Sequence, residues 1–217
     1  VRRDPAIMDA HRRADAELQA EVQRRLALAP TKEVVLYVHG FNETFDTAAF
    51  TAAELCHFFG RAHVCAFFTW PAASSGNLLI SYTSTTESAT YAEDHLRKVV
   101  RLLATTPGVE GVEIMAHSRG SAVVLKALKA LVLETMHAGL EPAEILKINN
   151  VVLFSPDVDA DLGLQAITSV FSEPANVVSV SPLAASSAYR KKSWLPTSTL
   201  VFPSSKNQFG APVILSS

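Results

Sequence analysis

Hydrophobic positions fall along this chain in two kinds of run, and the two kinds alternate. Short unbroken runs such as Val34-Val35-Leu36-Tyr37-Val38 read as strands buried on both faces, because neither side needs polar residues. Longer stretches repeat apolar residues every three or four positions, the period of a helix with one dry face. The strands predicted this way cover 33–39, 63–69, 112–116, 148–154 and 177–181. Helices are predicted around 47–59, 87–104, 121–137 and 161–171. In the third of these, Val124, Leu128 and Leu131 share a face.

Strands separated by helix-length segments need crossover connections, so the pattern predicts an α/β fold, a three-layer sandwich with a mainly parallel sheet. Ahead of it, residues 5–29 read as an amphipathic helix packing on the outside of the domain. Asp4 caps it, Pro5 suits its first position, and Leu18, Val22 and Leu26 recur opposite Arg12, Arg13, Arg24 and Arg25. Past Pro182 the signal weakens to one expected helix over 183–194. Residues 1–30 are thus assigned to the leading helix and 31–217 to a single domain, with no repeat or low-complexity tract.

Composition narrows the function classes. In 217 residues with a formal net charge of -2 there is no basic face for phosphate neutralisation, which sets nucleic acid aside. Apolar runs are broken well short of the roughly 20 residues a membrane span needs, so a soluble domain with no integral membrane segment is expected. The two cysteines, Cys56 and Cys65, lack a CxxC spacing, and neither a disulfide framework nor structural zinc is expected. Val1 opens the chain without a signal peptide. The compartment is left between the cytoplasm and export with the signal removed, and oligomeric state is left open.

Candidate chemistry gathers where strands end, since ligands of parallel sheets bind at the carboxyl edge. Ile114-Met115-Ala116-His117-Ser118-Arg119-Gly120 runs from a buried strand through a serine directly into a helix. A turn this sharp requires small residues two before and two after the serine. Ala116 and Gly120 meet that need, in a variant of the G-x-S-x-G nucleophile elbow. Ser118 is the candidate nucleophile and the Arg119 amide a first oxyanion donor. Val38-His39-Gly40-Phe41-Asn42 follows the first strand and would lie beside the elbow. There Gly40 permits the unusual backbone that turns the amide of Phe41, or of Asn42, into the site.

These motifs carry a family resemblance. With Phe68-Thr69-Trp70-Pro71, with Tyr82 and Glu87-Ser88-Ala89, and with Ser155-Pro156-Asp157-Val158-Asp159, they make the stretch from Glu33 to Leu162 resemble the bacterial α/β-hydrolases grouped as domain of unknown function nine hundred. The resemblance implies the α/β-hydrolase fold, with Ser118 at the nucleophile position and Phe41 and Arg119 at the oxyanion positions. It points to esterase or lipase-like relatives and names no settled substrate. An Asp usual in that family just before the Glu-Ser-Ala segment is Thr85 here.

A serine hydroxyl needs a base, normally a histidine held by a carboxylate, in the order Ser, acid, His. The seven histidines, at 11, 39, 57, 63, 95, 117 and 137, all precede the candidate acids Asp157 and Asp159. Three explanations stay open: residues omitted near Ser181 and in the tail, an acid at Asp157 or Asp159 served by a histidine outside the chain, or a domain that binds without turnover. His117 is expected to pack and orient the turn, because adjacent side chains on an elbow diverge. Asp157 and Asp159 lack a third ligand for a metal and serve equally as caps for the next helix. No metal or cofactor is expected. Trp70, with His39, Gly40 and His117, is a candidate pocket wall, and the loop 72–84 a candidate lid, its Leu78, Leu79 and Ile80 lying against an acyl chain. The sequence reading is a serine hydrolase acting on a small-molecule ester, with a non-catalytic binding module as its rival.

Overall fold

A computed structural model describes residues 4–72, 78–159 and 177–180, with side chains described outside 78–87 and 177–180. Its elements in chain order are α1 (Pro5–Leu26), β1 (Glu33–Val38), α2 (Phe45–Phe58), β2 (Val64–Phe68), α3 (Leu78–Thr105), β3 (Gly111–His117), α4 (Arg119–His137), α5 (Pro142–Leu146), β4 (Ile148–Phe154) and β5 (Val177–Val180). The strands form one five-stranded sheet in the order β2-β1-β3-β4-β5, and every pairing is parallel. The helices expected over 161–171 and 183–194 lie outside the described residues.

Because β1 is buried on both faces, its residues alternate between two cores. Val34, Leu36 and Val38 join Val112, Ile114 and Ala116 of β3 in a cluster with Leu96, Leu103, Val124 and Leu128 from α3 and α4. Val35 and Tyr37 face the other way, with Met115 and with Ala52 of α2. The helix after β1 therefore covers one face, and the helix after β3 covers the opposite one. Between β1 and β3 the chain reverses its direction of travel across the sheet, and the loops leaving them part to opposite sides. Such a switch point opens a crevice at the carboxyl edge.

The leading helix caps as expected, with the Asp4 side chain accepting from the Ala6 amide at 2.9 Å. It docks by its last turns only. Val22 and Leu26 are buried, whereas Leu18, expected on the same stripe, stays 37% exposed. The Gln19 and Gln23 side chains reach backbone carbonyls of Leu102 and Pro107 beside it.

Two elements depart from expectation. α3 begins at Leu78 rather than at Glu87, so most of the segment expected as a lid loop is helical backbone. The proposed acyl contacts at Leu78, Leu79 and Ile80 fall on side chains outside the described ones. The cysteines are also not independent: Cys56 of α2 and Cys65 of β2 form a disulfide, with their Cα atoms 6.1 Å apart. A helix and the strand after it bring together two positions that sequence spacing did not pair. Cross-linking a loop of sequence separation 9 removes chain entropy worth about 3 kcal/mol from the unfolded state. Replacing both cysteines by serine is expected to lower the calorimetric midpoint by roughly 5–10 °C. An unchanged midpoint would show the bond to be energetically idle.

Candidate active site

The register of the strands levels three strand ends. Val38 pairs with Phe68 on one side and with Ala116 on the other, so the loops after β1, β2 and β3 leave the sheet side by side. The loop beginning at His39 is the middle one. Its neighbours are the Thr69-Trp70 segment and the serine turn.

At that turn Ser118 has φ 49° and ψ -120°, a conformation that costs a residue with a Cβ on the order of 1–3 kcal/mol. The surroundings hold it there. The Ser118 amide donates to the Phe154 carbonyl at 2.9 Å, and the Ser118 carbonyl accepts from the amides of Ser121 at 3.0 Å and Asp157 at 3.1 Å. The elbow is thus fastened to the end of β4 and to the first turn of α4. Gly120 explains why the motif needs a glycine: a Cβ there would stand 2.5 Å from the His39 carbonyl oxygen and 2.7 Å from that of Val38. Gly40 faces the elbow from the other side. A Cβ on it would lie 3.0 Å from each of His117 Nδ1, the His117 carbonyl oxygen and Ser118 Cβ. The two motifs read from the sequence therefore touch.

His39 organises the middle loop from inside. It is fully buried, and its Nε2 accepts from the Trp70 amide at 3.1 Å, which puts the ring hydrogen on Nδ1, 2.9 Å from the Gly40 carbonyl. Nε2 also lies 3.3 Å from Thr69 Oγ1. The Trp70 indole returns a bond to the His39 carbonyl at 2.9 Å, and the rings stack at 5.6 Å. With both ring nitrogens engaged, His39 is a brace. Trp70, expected as a pocket wall, is its counterpart, only 5% exposed, and also lines a cleft. That cleft, of about 640 Å³, is lined by Trp70 together with His11, Asp15, Tyr91, His95 and Lys98.

Of the proposed oxyanion donors, Asn42 is corrected. Its amide donates to the Ala72 carbonyl at 3.0 Å, with Asn42 at φ 59°, so that N–H ties the loop to the segment after β2. Phe41 follows Gly40 directly, and Arg119 opens α4.

The candidate acids are placed differently from the expectation. Asp157 does stand beside the elbow, but its Oδ2 lies 3.4 Å from Arg119 Nη1, so its partner there is a guanidinium. Asp159 is exposed at the edge of the described residues. Among the described residues no imidazole hydrogen-bonds the Ser118 hydroxyl, and no group of three or more His, Cys, Asp or Glu is arranged to hold a metal.

One carboxylate was not singled out in the sequence. Glu43, mostly buried, has Oε1 within 3.5 Å of the Gly40 amide and of the Tyr37 hydroxyl, and 3.4 Å from His117 Nδ1. Burial, with the Glu43 charge next in effect, pushes the Tyr37 phenol well above its ordinary range. Tyr37 therefore stays protonated. An acidic residue directly after His39-Gly40-Phe41-Asn42 was the available signal.

Strand order, elbow and braced loop together are those of a hydrolase sheet, and the family comparison agrees: the family described as "Alpha/beta hydrolase of unknown function (DUF900)" matches residues 14–192. The chain belongs to this family. No curated protein matches it. Among solved structures, the cutinase of Trichoderma reesei in complex with a C11Y4 phosphonate inhibitor is 17% identical, with a TM-score of 0.45, over 82% of this chain and 77% of that one. For this alpha/beta hydrolase, no described helix is long and apolar enough to cross a membrane.

Proposed function

We propose that this alpha/beta hydrolase is a serine hydrolase that cleaves carboxylic esters through an acyl-enzyme on Ser118. The observation that carries the reading is the strained φ of Ser118 at a strand-to-helix turn, packed so closely on Gly40 that a Cβ there would stand 3.0 Å from Ser118 Cβ. Strain of this kind persists where the surroundings over-determine it, and it clusters at functional sites.

In the proposed mechanism Ser118 Oγ attacks the ester carbonyl, and the carbonyl oxygen takes up negative charge. The amides of Arg119, in the first turn of α4, and of Phe41, after Gly40, donate to that oxygen, and the positive end of the α4 dipole adds to them. The C–O bond breaks, the leaving oxygen takes the proton that Ser118 gave up and departs as the alcohol, Ser118 is left acylated, and water then releases the acid. Esters are favoured over amides on chemical grounds, because an alkoxide leaves with less proton assistance than an amine.

The test is turnover of a short-chain chromogenic ester by the full chain. Ser118→Ala is expected to reduce kcat/KM at least 1,000-fold, roughly the scale on which a nucleophile acts. Wild-type protein that binds the ester without releasing alcohol would favour the binding-module reading instead.

A further inference from the structure

We propose that the cleft between α1 and α3 beside Trp70 is a ligand site, one that takes a small zwitterion with a flat apolar body, the chemistry of an aromatic α-amino acid. The proposal is independent of the serine-hydrolase reading, because no residue of the serine turn lines this cleft.

Spacing on two helices builds the site. On α1, His11 and Asp15 lie on the stripe that continues through Val22 to Leu26. Near its end that stripe is apolar and buried, and Gln19 and Gln23 reach the Leu102 and Pro107 carbonyls around the end of α3. Toward the start of α1 the stripe turns polar, and there it lines the cleft. On α3, Tyr91, His95 and Lys98 recur three or four residues apart, so that one face of that helix lines the cleft as well. Phe68 and Val99, half-buried, and Trp70 and Ala92, buried, supply an apolar floor. At about 640 Å³ the cleft has the size of a small-molecule site.

The polar groups at its rims are left over by the protein's own pairing. Much of the charge elsewhere on these helices is matched. Asp9 pairs with Arg12, and Glu21 with Arg24 and Arg25, on α1. On α3, Asp94 pairs with Arg97, Glu93 with Lys126, and Arg97 and Arg101 with Glu134. By contrast, the side chains of His11, Asp15, His95 and Lys98 make no hydrogen bond or ion pair among the described residues. An unpaired surface charge is ordinary by itself. Here an anion from one helix and a cation from the other border the same apolar floor.

That arrangement selects by charge as well as by shape. A plain carboxylate with an apolar tail would gain Lys98 but lie beside Asp15, and an amine would gain Asp15 but face Lys98. A ligand that carries both groups satisfies both residues. The imidazoles of His11 and His95 each add a ring nitrogen that donates or accepts. A flat ring suits a floor that includes Trp70 and Phe68, with Tyr91 alongside. Covering that floor excludes water from the rims, which strengthens both ion pairs.

The experiment is calorimetric titration of the full chain with L-phenylalanine and with three fragments of it: 3-phenylpropanoate, which lacks the ammonium, phenethylamine, which lacks the carboxylate, and glycine, which lacks the ring. Lys98→Gln and Asp15→Asn are titrated alongside, with folding checked by circular dichroism; both residues are exposed, so neither change is expected to disturb the fold. Wild type is expected to bind one phenylalanine per chain, more tightly than any fragment. Lys98→Gln is expected to weaken phenylalanine and 3-phenylpropanoate about fivefold, the upper scale of an exposed ion pair, without weakening phenethylamine. Asp15→Asn is expected to weaken phenylalanine and phenethylamine by a similar factor without weakening 3-phenylpropanoate. Phenylalanine binding that either substitution leaves unchanged overturns the proposal. So does a fragment that binds wild type as tightly as phenylalanine, or the absence of saturable binding up to the solubility of the amino acid.

Discussion

Gly120→Ala is expected to cost at least about 3 kcal/mol of stability or to leave the chain insoluble, and to abolish reaction at Ser118 in whatever folds. The magnitude follows from what the new methyl meets: two backbone oxygens, of His39 at 2.5 Å and Val38 at 2.7 Å, neither of which can rotate aside. Relief requires separating α4 from the end of β1, and overpacking that moves backbone lies at the costly end of the 1–3 kcal/mol usual for such changes. Gly40→Ala is the control. Its neighbours all stand at 3.0 Å: the His117 ring, which can turn, and the His117 carbonyl oxygen and Ser118 Cβ, which the backbone fixes; the contacts are longer than those at Gly120, so the expected loss is smaller, with reactivity impaired more than folding. Chemical denaturation of both variants checks the order, and equal stabilities would mean that the elbow does not press on β1 as described.

The second large effect is on stability against pH. Glu113, on β3, titrates at about 7 instead of 4.5, chiefly because burial disfavours its charge. Hydrogen bonds from Asn150 and Asn149 oppose the shift, and the nearby Glu33 adds to it. Between 4.5 and 7 the folded chain keeps the proton and the unfolded chain does not. This contribution is therefore complete below about 4.5 and is lost as pH rises through 7, by at most about 3 kcal/mol. Glu113→Gln mimics the protonated form at every pH. It is expected to match wild type at pH 5 and to exceed it at pH 8 in urea unfolding. Identical slopes of stability against pH in the two proteins would contradict the assignment.

Much of the fold around the serine turn was legible because it is local. The unbroken apolar run of β1, and the small residues bracketing Ser118, are forced by a doubly covered sheet and a sharp turn, and each leaves a mark within seven residues. Features that depend on distant partners left none. Cys56 and Cys65 pair only because α2 returns to β2, and no spacing rule for metal or redox motifs covers that geometry. Thr83, Ser84, Thr85 and Thr86 are weak helix formers, which is why the start of α3 was read near Glu87 although the helix runs from Leu78. Asp157 follows β4 and its amide reaches the Ser118 carbonyl, but sequence could not show that Arg119 would face its carboxylate. Asn42 looked as suitable as Phe41 for the oxyanion until its bond to Ala72 assigned the amide elsewhere.

The central claim is that one hydroxyl, held in a strained bend against the glycine-bearing loop, is the reactive atom of the protein. Peptide mapping after exposure to a fluorophosphonate addresses it directly. The account predicts a single adduct per chain, on the peptide that contains Ser118. An adduct on another residue, or no adduct on protein shown to be folded, would contradict it.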